Sequence, residues 1–187
     1  GSPMREVLEG AAAGIEQSDV LARMNLVAGQ YILVSAHREE NIDLEDNFIS
    51  LMNAINAMAE TYGLPVIYST HPRSMKFIRQ RSFVFHPLVQ NVTPLGFFDY
   101  NKLQQNSLVV LSDSGTLSEE SAMLGFCGVL VRTSTERPEV LDKGTVVIGG
   151  ITSQSVLQAA ELAIAMQRNG EPRSMPSDYL DTNVSAK

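Results

Sequence analysis

Leu108-Val109-Val110-Leu111-Ser112-Asp113-Ser114-Gly115-Thr116-Leu117-Ser118-Glu119-Glu120 reads as a strand that passes through a polar turn into a helix. Its opening residues are apolar without alternation, the pattern of a strand covered on both faces, as in parallel sheets. The turn is broken by Gly115, and helical spacing over 117–124 follows it, with another apolar run, Gly128-Val129-Leu130-Val131, beyond. That is a βαβ unit, and such units join in a right-handed sense into a parallel sheet.

The alternation extends in both directions. Upstream, 31–36 is a strand ending at His37. Leu44, Phe48, Leu51, Met52, Ile55, Met58, Ala59 and Tyr62 then recur at helical steps, with Asp43 placed to cap the helix and Gly63 to stop it. A strand over 65–69 precedes a short helix from Pro72. Phe83-Val84-Phe85 is the expected third strand, and a helix over 97–105 leads back to Leu108. Downstream, a strand over 145–148 and a helix over 153–168 close the pattern, with Val156, Ala160, Ala163 and Ile164 on one face. The residues before Tyr31 read as one or two helices, with Ser18 capping the second. The fold class is therefore α/β: a Rossmann-like, doubly wound parallel sheet. Ligands of such sheets bind at the carboxyl ends of the strands, where this chain's polar clusters fall.

Composition narrows the partners. The 187 residues carry 14 Lys and Arg against 21 Asp and Glu, a net charge of −7. Broad binding to a phosphate backbone needs a basic surface, so nucleic acid is excluded as the main partner. The apolar runs are too short to span a bilayer, and no signal peptide is visible. The single Cys127 excludes an intramolecular disulfide and a cysteine-built zinc cage, and makes a cytoplasmic setting the default. It reads as an inert core thiol.

Three clusters carry chemistry. In the first, Gly115 permits close backbone approach, and the Ser114 and Thr116 hydroxyls with the helix amides are donors for an anionic oxygen such as a phosphate. The same residues also fit a plain capped helix, with Thr116 and Glu119 as a capping box. Glu120 lies outside that box and is a candidate for ribose hydroxyls. The second cluster is His37-Arg38-Glu39-Glu40-Asn41, where His37 is either an acid–base group, a phosphate donor or an incidental loop residue. The third is Thr133-Ser134-Thr135-Glu136-Arg137-Pro138-Glu139. There Arg137 either reaches phosphate with two parallel bonds or pairs with its acidic neighbours. His71-Pro72-Arg73 and Asp99-Tyr100 are weaker signals, with Tyr100 read as core or rim, and His86 is structural. The three histidines lack metal-ligand spacing, and there is no Gly-x-Ser-x-Gly elbow.

Together, Ser35-Ala36-His37-Arg38-Glu39-Glu40-Asn41, Thr70-His71-Pro72, Ser112-Asp113-Ser114-Gly115 with Glu119-Glu120, and Thr135-Glu136-Arg137-Pro138-Glu139 resemble the non-hydrolysing UDP-N-acetylglucosamine 2-epimerases. Their order and spacing agree along nearly the whole chain. The resemblance implies the C-terminal half of a two-domain fold of the glycosyltransferase-B type. Residues 1–187 would form one UDP-sugar-binding domain, with 171–187 a tail leading to a cut-short helix that packs on the N-terminal domain in the family. Gly1-Ser2-Pro3 would be the interdomain turn rather than a cloning scar. The N-terminal domain, with the family's catalytic carboxylates, would be absent.

The resemblance also assigns roles. His37 would lie at the reacting sugar or its pyrophosphate, beside Arg38. Ser114, Gly115 and Thr116 would hold the diphosphate, although the family more often has a second glycine where Thr116 stands. Glu120 would hold the ribose, Arg137 a phosphate, and Tyr100 would sit near the uracil. The implied reaction is anti elimination of UDP with loss of the C2 proton, then re-addition of UDP to a 2-acetamidoglycal after reprotonation on the other face. Neither a nicotinamide nor a metal is implied, and the full-length enzyme would be a homodimer. Pro94-Leu95-Gly96-Phe97-Phe98-Asp99-Tyr100 and the other motifs look most like the UDP-N-acetyl-L-fucosamine synthase branch, which serves capsule or O-antigen synthesis; UDP-N-acetylmannosamine is the other product expected. The competing readings are a glycosyltransferase of the same fold and a nucleotide-binding module without chemistry.

Overall fold

The computed structural model describes residues 4–132 and 146–168. Two helices lead in, α1 (Met4–Gln17) and α2 (Val20–Arg23). The sheet is built from β1 (Ile32–Ser35), β2 (Val66–Ser69), β3 (Val89–Val92), β4 (Val109–Ser112), β5 (Gly128–Leu130) and β6 (Val146–Ile148). Between them run α3 (Glu39–Ile42), α4 (Glu45–Tyr62), α5 (Pro72–Gln80), α6 (Phe97–Asn106) and α7 (Leu117–Leu124), and α8 (Ser153–Arg168) follows. The six strands are all parallel, in the order β3-β2-β1-β4-β5-β6. The direction of winding reverses between β1 and β4, so the loops after those two strands diverge to opposite faces and leave a crevice.

The continuous apolar strands are explained by their parity. Ile32, Val34, Val66, Tyr68, Val109, Leu111 and Val129 face one layer, packed under α4 and α8. Leu33, Ile67, Val110, Leu130 and Val146 face the other, with Leu103 of α6 and Leu117 of α7. Each fully buried aliphatic side chain contributes roughly 1.5–3 kcal/mol to this sandwich. The helices stop where expected: Gly63 (φ 61°) and Gly125 (φ 77°) take the left-handed conformation that ends α4 and α7.

Two expectations are corrected. The third strand is Val89–Val92, not 83–85. Phe83 and Phe85 instead form an aromatic cluster with each other, with Phe48 and with Tyr68, leaving Val84 exposed between them. The real β3 reads Val-Gln-Asn-Val and is only partly buried, because an edge strand has no need of a continuous apolar run. The helix expected from Asp43 begins at Glu45, capped by Leu44, and a short α3 precedes it. Asp43 closes α3 and spends its carboxylate on Arg73 of α5, with Arg73 Nε to Asp43 Oδ1 at 3.0 Å.

The lead-in helices position α6. Asp99 accepts from the Ser18 hydroxyl and from Arg23 Nη2, each at 2.6 Å. The Arg23 guanidinium, with Ser18, holds the Asp99 carboxyl below its usual range. Gly14 lies against Phe98 so closely that an added Cβ would stand 2.8 Å from its ring. Ser18 also accepts from the Val20 amide at 3.3 Å, so it serves the start of α2 and the anchoring of α6 together.

Candidate active site

Ser35 pairs with Ser112 across β1 and β4, so the two following loops leave the sheet side by side. Asp113, fully buried, binds them together. Its Oδ2 accepts from the His37 amide at 2.9 Å, the Arg38 amide at 2.8 Å and Asn41 Nδ2 at 3.0 Å. A carboxylate can stay buried when hydrogen-bonded in this way. Asn41 gives its other N–H to the Val131 carbonyl at 3.0 Å, which ties the end of β5 to the same loop. Arg132, 3% exposed, reinforces that tie through Nε to Glu40 Oε1 at 3.0 Å.

The clamp brings the first two clusters together. Arg38 lies over the glycine turn, with its Nη2 3.4 Å from where a Gly115 Cβ would be. Within the turn, the Ser114 amide donates to the Ser112 hydroxyl at 3.1 Å, and the Thr116 amide to the Ser114 hydroxyl at 3.3 Å. The Gly115 amide has no internal partner among the described residues. The expected capping box is not built: the Thr116 hydroxyl accepts from no first-turn amide, lies 2.8 Å from Ser114 Oγ and donates to Glu120 Oε1 at 2.9 Å. Glu119 is buried.

Glu120 is gripped on both oxygens, with Gln104 Nε2 donating to Oε2 at 2.6 Å and Thr116 to Oε1. Burial raises its carboxyl above the ordinary glutamate value, and the two hydrogen bonds oppose that shift. Tyr100, from the first turn of α6, completes this side. Burial, with the nearby Glu120 charge, raises its phenol, and the neighbouring Ser35 and Gln104 oppose that shift. Tyr100 thus lies near the carboxyl end of β1, partly buried against the core, in keeping with its reading as core or rim.

His37 is exposed, and its ring faces that of His71, centroids 5.9 Å apart. His71 caps α5, with Nδ1 accepting from the Arg73 amide at 3.2 Å. The structure therefore assembles His37, Arg38, Tyr100, Ser114, Gly115, Thr116 and Glu120 along one sheet edge, and adds His71. Arg137 and the tail lie outside the described residues. The chain reading gave no role to Asp113, Asn41, Gln104 or Arg132. The available clue was an aspartate directly after the central strand of the αβ pattern. A cavity of about 460 Å³ lies elsewhere, between α5 and the β3–α6 loop, lined by Thr70, Met75, Lys76, Arg79 and Pro94 among others. No helix among the described residues is long and apolar enough to cross a membrane.

Comparison with known proteins agrees with this fold. The UDP-N-acetylglucosamine 2-epimerase of Methanocaldococcus jannaschii is 28% identical over 149 residues, 77% of this chain and 40% of that protein. The structure of UDP-N-acetylglucosamine 2-epimerase from Rickettsia bellii superposes with a TM-score of 0.81 at 31% identity, covering 96% of this chain and 48% of that one. The M. jannaschii enzyme in complex with UDP-GlcNAc and UDP superposes with a TM-score of 0.79 at 25% identity, over 88% of this chain and 47% of that one. The chain thus spans about two-fifths of the length of the curated relatives it matches. The family described as UDP-N-acetylglucosamine 2-epimerase matches residues 1–187 throughout. A parallel sheet wound in this order, the motif turns gathered at its switch point and a match running end to end have one reading: the chain belongs to the UDP-N-acetylglucosamine 2-epimerase family.

Proposed function

We propose that residues 1–187 form the UDP-holding half of an epimerase that inverts C2 of a UDP-N-acetylhexosamine by eliminating UDP and adding it back. The observation that carries this reading is the Asp113 clamp, which sets Arg38 above Gly115 at the switch point of the sheet. Leaving-group charge develops on the pyrophosphate as the C1–O bond breaks. Donors already oriented toward that charge lower the barrier without reorganising. Here they are the Gly115 amide, the Ser114 and Thr116 hydroxyls and Arg38; Arg137, outside the described residues, is proposed to add a further phosphate contact. Glu120 takes the ribose hydroxyls, its two oxygens aimed by Gln104 and Thr116. Tyr100 packs beside the uracil. His37 acts at the reacting sugar or its pyrophosphate.

The remaining half of the cleft belongs to an N-terminal domain that supplies the carboxylates. The UDP-GlcNAc complex of the M. jannaschii relative supports the substrate class. Within that class, the sequence around 94–100 favours UDP-N-acetyl-L-fucosamine over UDP-N-acetylmannosamine as product, in cytoplasmic synthesis of capsule or O-antigen sugars.

Calorimetric titration with UDP, run beside ADP, tests the reading. UDP is expected to bind and ADP to bind far more weakly. Equal or stronger binding of ADP would count against it.

A further inference from the structure

Asp113 does more in this structure than hold a loop. Its three donors all reach Oδ2, while Oδ1 is buried without a hydrogen-bond partner. A buried acceptor left unbonded costs about 1–3 kcal/mol. The imidazole of His37 stands beside Oδ1, its Nδ1 3.6 Å away, just beyond hydrogen-bond distance. Because the same carboxylate grips the His37 and Arg38 amides, the backbone of the ring and its Nδ1 are referred to one rigid group. The ring on its other side, His71, has its own Nδ1 committed to the Arg73 amide.

We infer that Asp113 is a positioning residue for His37, holding the neutral imidazole with its proton on Nδ1 and turning the Nε2 lone pair out of the sheet edge. The tautomer of a histidine is set by the bond its other nitrogen makes. This inference rests on the functional reading above and sharpens it. With Nε2 unprotonated, neutral His37 is a proton acceptor at the sugar, not a neutral donor to phosphate. Once it has taken a proton, the imidazolium stays paired with the Asp113 carboxylate.

Long-range ¹H–¹⁵N spectra of the uniformly ¹⁵N-labelled chain test this directly, at a pH where the imidazoles are neutral and with His37→Gln to assign the ring. The Nδ1–H form is expected to predominate at His37. In Asp113→Asn the population is expected to move toward the Nε2–H form that free imidazole favours. A predominant Nε2–H form in the unsubstituted chain overturns the inference, as does an unchanged tautomer ratio in folded Asp113→Asn. Should Asp113→Asn fail to fold, the unsubstituted chain decides alone. UDP added to the same sample reports separately on the nucleotide site through the Ser114, Gly115 and Tyr100 amides, so one reading can fall while the other stands.

Discussion

Glu120 bears the cost of the site at the scale of a single residue. Its carboxyl is raised by burial, with the Gln104 and Thr116 bonds only partly offsetting that. A raised acid binds its proton more readily in the folded chain than in the unfolded one. Folding is therefore favoured by Glu120's protonation below the ordinary glutamate range, and this advantage is lost as pH rises through that range toward the folded value. Glu120→Gln removes the titration. Its urea midpoint is expected to gain on that of the unsubstituted chain as pH rises from 4 to 7, while UDP binding weakens through loss of the ribose acceptor. A stability difference that does not vary with pH would show that burial of the charge is not the cause. On the proposed function, a ribose-binding carboxylate is kept at the expense of stability.

At the scale of elements, the packing of α8 on the sheet is tight at its entry. An added Cβ on Gly149 would stand 2.6 Å from Val129 Cγ1, and Val129 is fully buried and β-branched, with no flexible end to move aside. Gly63 ends α4 at φ 61° with nothing within 4 Å of its missing Cβ. The two glycines therefore fail for different reasons when replaced. Gly63→Ala is expected to cost about 1 kcal/mol through backbone strain alone. Gly149→Ala is expected to cost more, about 1–3 kcal/mol from overpacking. Denaturant titration of both variants checks the order. The exposed ion network of Arg73 with Glu39 and Asp43 joins α5 to the α3 segment. Being exposed, it sets geometry more than stability. Its effect is to keep His71 at the start of α5 next to His37.

At the scale of the molecule, the proposed function makes the described residues one wall of a cleft. The carboxylates that the reaction also needs are expected on the other wall. The chain on its own should therefore bind UDP yet put no solvent deuterium into C2 of UDP-N-acetylglucosamine. Mass spectrometry of the recovered sugar after incubation in D₂O checks this. Deuterium at C2, catalysed by residues 1–187 alone, would place the whole reaction in this domain. Saturating UDP should also stabilise the chain by about 2.7 kcal/mol at a hundredfold excess over Kd, since a ligand held only by the folded state adds that much.

What could be read from the chain alone was everything that shows up as local pattern. Uninterrupted apolar runs at 31–36 and 108–112 reported burial on both faces, and helical spacing over 44–62 reported α4, because burial leaves its period in the residues of one element. The glycine turn at 112–116 and the histidine loop at 37–41 were legible as chemistry, and their register with the other motifs as a family. The edge strand was not, since Val89–Val92 pairs on one side only and carries polar residues that no period marks. Nor was the start of α7, where the Thr116 hydroxyl donates to Glu120 instead of accepting from a first-turn amide. Above all, Asp113 and His37 are 76 positions apart, and Gln104 and Glu120 are 16 apart on separate helices. Such contacts follow from which strands lie side by side. Pairing of Ser35 with Ser112, a matter of sheet order and register, turned two polar loops into one site.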